Sequence, residues 1–152
     1  MNNPTVALEY ANSLFYELEK AMWDERGRGG RYRMTTIGKE FFKDKCLQNI
    51  KSADPAAIVQ AVDEALREAG VIAGVEYLLE DHLLRIIVQG CIHLPVERKM
   101  IQKGIEPFAC LPANLIALMI GEKLNRPVEL AQIKCEDGSC ELLLVIFEKR
   151  PE

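Results

Sequence analysis

The order of apolar patterns along the chain predicts an α+β fold, with helices packed on an antiparallel four-stranded sheet. Three observations carry this. Apolar residues recur at helical spacing through the N-terminal part, and two pairs of β-rich runs follow, each pair joined by a short polar turn. The most apolar segment of the chain lies between those pairs and has helical length. The resulting order is α-α-α-β-β-α-α-β-β, in which consecutive strands form hairpins.

The chain of 152 residues is the size of one domain, and 49% hydrophobic with 28% charged residues is a globular composition. A net charge of −4 argues against nucleic-acid binding, which draws its affinity from clustered Lys and Arg. No basic segment followed by an apolar run opens the chain, and no apolar stretch reaches bilayer-spanning length. The expectation is a cytoplasmic protein without membrane insertion.

From about Pro4 to Trp23, Ala7, Ala11, Leu14, Leu18 and Ala21 recur at helical spacing, with Leu8, Phe15 and Met22 beside them. This stripe packs either on its own domain or against a second copy in a homodimer. Asp24 to Arg33 holds three glycines and four arginines and reads as a flexible connector. It carries no P-loop or dinucleotide fingerprint. A second helix is expected over about Thr36 to Lys51. The third is bounded by Asp54 as N-cap, Pro55 in the first helical position and Gly70 at the end.

Two β-rich runs, about Val71 to Leu79 and Leu83 to Gln89, form a hairpin around Glu80, Asp81 and His82, with His82 solvated at the turn. Pro95 starts a short helix that Gly104 ends. The helix from Ala113 to Leu124 is apolar around most of its circumference and must be buried on several sides. Arg126-Pro127 stops it, and a second hairpin closes the chain, about Val128 to Cys135 and Cys140 to Phe147.

Four of the five cysteines lie after residue 90, and without a secretion signal they read as reduced thiols. In Cys135-Glu136-Asp137-Gly138-Ser139-Cys140 the Asp-Gly pair is a favoured two-residue turn. The register it sets opposes Cys135 to Cys140 and Lys134 to Glu141, and puts Ile133 and Ala131 beside Leu142 and Leu144. Cys110 falls at the start of the buried helix, where the helix dipole favours a thiolate. With Cys91 as a fourth member, and His93 as the alternative to it, these thiols suit zinc or an iron–sulfur cluster; inert core cysteines are the competing account.

The strand ending in Gly90-Cys91, the Pro107-Phe108-Ala109-Cys110 run, Asn125-Arg126-Pro127-Val128-Glu129, and Cys135, Gly138 and Cys140 occur in an order that resembles the 4-vinyl reductase domain family. These predicted hydrocarbon-binding proteins are related to TRAPP trafficking subunits and to haem nitric-oxide sensor domains. The resemblance spans about Leu84 to Phe147. It implies a zinc ion held, as in phenol-sensing members, by one cysteine before the helix and by a glutamate and two cysteines around the last hairpin. Those cysteines fall on Cys110, Cys135 and Cys140. Gln132 stands where the glutamate belongs, with Cys91 as its substitute, and the loop between the last two cysteines is shorter than the family's.

The function this implies is binding or sensing of a small hydrophobic or aromatic molecule, with Tyr77, Ile86, Phe108, Leu115 and Met119 as candidate lining residues. Two alternatives follow from the same resemblance: an enzyme reducing a tetrapyrrole vinyl group, and a dimeric scaffold of the trafficking-subunit kind. No dinucleotide fingerprint or placed proton donor supports the enzyme.

Overall fold

The structure, a computed structural model, describes residues 4–33 and 35–149. The chain runs α1 (Leu8–Arg26), a 3-10 segment (Gly27–Arg33), α2 (Lys39–Asn49), α3 (Pro55–Glu68), β1 (Gly74–Glu80), β2 (Leu83–Gln89), α4 (Leu94–Gln102), α5 (Leu111–Leu124), β3 (Val128–Glu136) and β4 (Ser139–Ile146). This is the α+β order the sequence predicts. The sheet is antiparallel throughout, in the order β1-β2-β4-β3, so the last hairpin adds β4 directly beside β2.

Local chemistry explains the boundaries. Asp54 accepts a hydrogen bond from the Ala57 backbone N–H at 2.9 Å, and Pro55 fills the first turn of α3. Helix α1 starts at Leu8, later than the periodicity suggests, because Ala7 is extended and offers no side-chain cap. The expected flexible connector is corrected in part: Gly27, at φ 57°, ends α1, and Gly27–Arg33 then winds as 3-10 backbone. Gly38, the N-cap of α2, has φ 96°, and a Cβ there would stand 1.9 Å from Leu111 Cδ1. The left-handed φ is what favours glycine here, and a side chain would also displace Leu111.

The two central strands alternate strictly. Leu84, Ile86 and Val88 of β2 and Leu142, Leu144 and Ile146 of β4 point inward, each at most 2% exposed. Against them pack α3, through Ile58, Val62 and Leu66, and α5, through Leu115, Ile116, Met119 and Ile120. Each such side chain contributes on the order of 1.5–3 kcal/mol by leaving water. A second, smaller cluster joins Tyr16 of α1 to Val96, Met100, Ile105, Phe108 and Ala109.

In the last hairpin Cys135 opposes Cys140, Lys134 opposes Glu141 and Ile133 opposes Leu142, as the turn chemistry predicts. One expectation is corrected. A bulge between Leu130 and Gln132 leaves Ala131 without a partner, so Leu130, not Ala131, stands beside Leu144.

Candidate functional site

Helix α1 packs on the 3-10 segment that follows it and on α4, and it buries only Asn12 and Tyr16. Between it and the starts of α2 and α5 lies a cavity of about 340 Å³. Its rim is Phe15, Leu18 and Ile37, all more than 40% exposed. Its inner wall is apolar, formed by Phe42, Val96, Ala109 and Leu111. Glu19, His93, Glu97, Cys110 and Asn114 bring polar atoms to the same space.

The spacing of His93 and Glu97, four residues apart at the start of α4, puts both on one helix face. Asn12 fixes the imidazole. Its Nδ2 donates to the Ile92 carbonyl at 2.7 Å, so its Oδ1 must accept from His93 Nδ1 at 3.0 Å. That leaves His93 Nε2 with its lone pair. Burial lowers the His93 pKa, which keeps the ring neutral, and Phe15 meets it edge-on with centroids 5.1 Å apart.

Both carboxyls are perturbed upward. Glu97 is 7% exposed, and desolvation, reinforced by the Glu19 carboxylate, raises its pKa to about 9. Burial raises Glu19 to about 7, and its Oε2 is buried without a hydrogen-bond partner. Glu19 ionises first, against a still neutral Glu97, which is why the repulsion falls on Glu97. Sequence patterning passes over both residues. The available signal was Glu19 on the apolar stripe of α1, four residues after Phe15.

A smaller cavity of about 20 Å³ adjoins this one through His93, Glu97, Cys110 and Leu111, and Cys91 and Cys140 also line it. Cys135 does not, although its Sγ lies 2.7 Å from Cys140 Sγ. The expectation of zinc or an iron–sulfur cluster on Cys91, Cys110, Cys135 and Cys140 is overturned: among the described residues, no three His, Cys, Asp or Glu side chains are grouped to hold a metal ion. The thiols are also held protonated, contrary to the thiolate the helix start suggests. Cys110 is the N-cap of α5, but burial raises its pKa well above the usual thiol range instead of favouring a thiolate. Burial also raises Cys91 to about 11, and the hydrogen bond with Cys135 raises Cys140 further.

The five candidate lining residues do not meet in one cavity. Ile86 and Leu115 are fully buried in the main core, and Tyr77 lies on the edge strand, its hydroxyl 3.4 Å from Gln60 Nε2. Phe108 and Met119 border a different groove of about 560 Å³ between α2, α5 and β3. That groove is lined by opposite charges, with Lys43 and Glu122 paired at 3.2 Å. No helix among the described residues is long and apolar enough to cross a membrane. Comparison with known proteins finds no matching family model and no matching curated protein.

Proposed function

We propose that the chain is a binding module for a small hydrophobic molecule, held in the cavity between α1, α4 and the start of α5. The observation that carries the reading is an open, mostly apolar space of about 340 Å³ on which a few polar groups converge, one of them a buried carboxylate oxygen without a partner. Buried polar atoms in native proteins are nearly always satisfied, so such an atom in a cavity wall marks where a ligand's polar group would sit. The resemblance to the 4-vinyl reductase domain family, carried by Gly90-Cys91, Pro107 to Cys110 and the last hairpin, supports the same class of ligand.

Methyl-resolved NMR titration with ethylbenzene tests this. Saturable shifts are expected at Val96, Leu18, Ile37 and Leu111. Shifts confined to Leu118, Val128 and Leu130, in the charged groove, or no saturable shift at all, would overturn the assignment.

One observation favours a second reading, a homodimer through α1. Leu8, Tyr10, Leu14, Phe15 and Leu18 are 41–61% exposed on a helix that buries only two residues. An apolar helix face this poorly covered is the usual mark of an interaction surface. A second copy of α1 would cover the stripe and roof the cavity. Light scattering should give a dimer at micromolar concentration and a monomer for Leu14→Arg, a position outside the cavity lining; a monomeric parent chain refutes it.

A further inference from the structure

The polar end of the cavity points to the chemical class of the ligand. We propose that it takes an apolar amine, with the ammonium group seated between Glu19 and Glu97 and the hydrocarbon against Phe15, Phe42 and Val96. The inference rests on the binding reading above and names the head group within it.

The first argument is the balance of donors and acceptors. Glu19 Oε2 is a buried acceptor with no partner, and the hydrogen bond to Asn12 makes His93 Nε2 a second acceptor. Glu97 is 7% exposed, and no hydrogen bond from another described residue reaches its carboxyl. Among the described residues, no lysine or arginine lines the cavity. An ammonium has three donors and no acceptor, so it complements this set, whereas a carboxylate or phosphate would add a further anion and find no cation among the described lining residues.

The second argument is electrostatic. Two carboxyls share one desolvated space, and among the described residues the other ionisable groups lining it and the adjoining small cavity are His93, Cys91, Cys110 and Cys140, none of them cationic as the structure holds them. Ionising both carboxyls without a counter-charge is unfavourable, which is why Glu97 stays protonated, and a bound cation lets both ionise. The third is the wall. The rings of Phe15 and Phe42 border the cavity, and aromatic faces attract ammonium groups. The volume of about 340 Å³ suits a single ring or a short chain.

Isothermal titration calorimetry of the whole chain with three near-isosteric probes, phenethylamine, phenethyl alcohol and phenylacetate, tests the class. A charge-assisted pair of hydrogen bonds should favour the amine over the alcohol by about tenfold or more, and phenylacetate should bind weakest. The gap between amine and alcohol should close in Glu19→Gln and in Glu97→Gln. An alcohol that binds as tightly as the amine, or a gap that survives both substitutions, overturns the amine assignment but leaves the cavity reading intact. Failure of all three probes also overturns it, and the ethylbenzene titration then decides separately whether the cavity reading falls as well.

Discussion

Glu97 should be a liability to stability that grows with pH, and its removal should show this. A folded pKa of about 9 against 4.5 for a solvated carboxyl means that the folded chain holds a proton the unfolded chain has released across that interval. The sign follows directly. The group's contribution is neutral below pH 4.5, and stability falls as pH rises through the window until Glu97 ionises in the folded state. Each pH unit costs about 1.4 kcal/mol, so between pH 4.5 and 7 the accumulated penalty is about 3 kcal/mol. Glu97→Gln keeps the shape and cannot ionise. Urea unfolding at several pH values should therefore show the substituted chain equal to the parent near pH 4.5 and more stable by up to about 3 kcal/mol at pH 7. Subtracting the two curves cancels the carboxylates they share. Parallel curves, with a difference independent of pH, would refute the buried-acid account, because a merely structural role for the side chain predicts no pH-linked gap.

Two further outcomes test the core and the hairpin. Leu115→Ala should cost about 2–5 kcal/mol in urea unfolding, since Leu115 is fully buried between sheet and helices; a loss under about 1 kcal/mol would mean that α5 is not packed as described. Mild oxidation with diamide should remove the two thiol hydrogens of Cys135 and Cys140 and join their sulfurs, which lie 2.7 Å apart, before any other pair reacts. Peptide mapping that places the first disulfide on Cys91 or Cys110 would contradict the register.

Much of the fold was legible because its signals are local. The Asp54-Pro55 start of α3 and the Asp137-Gly138 turn act within a few residues, and the turn fixed the pairing of Cys135 with Cys140 without knowledge of the rest. The errors are equally physical. A bulge at Ala131 adds one residue to a strand without altering its alternating look over so short a run, so Leu130 took the place expected for Ala131. The arginines and glycines after α1 marked the end of that helix but not the 3-10 path that follows.

The site was read less well because burial, which spacing does not reveal, decides its chemistry. Placing Cys110 at a helix start gave a helix-dipole term of about 0.3–1 kcal/mol in favour of the thiolate. Desolvation opposes that term and outweighs it, so the thiol stays protonated. The same desolvation acts on Glu97, which sits in a sequence, Pro95-Val96-Glu97-Arg98, that looks like an ordinary charged helix start. At a solvated helix start such a glutamate would gain from the dipole. Beneath α1 it loses water, gains no cation among the described residues and faces a second carboxyl instead. The two failures of spacing are therefore one effect with opposite consequences. Desolvation silences the cysteines that spacing favoured, and it turns two glutamates that spacing ignored into the groups with most to gain from a bound cation.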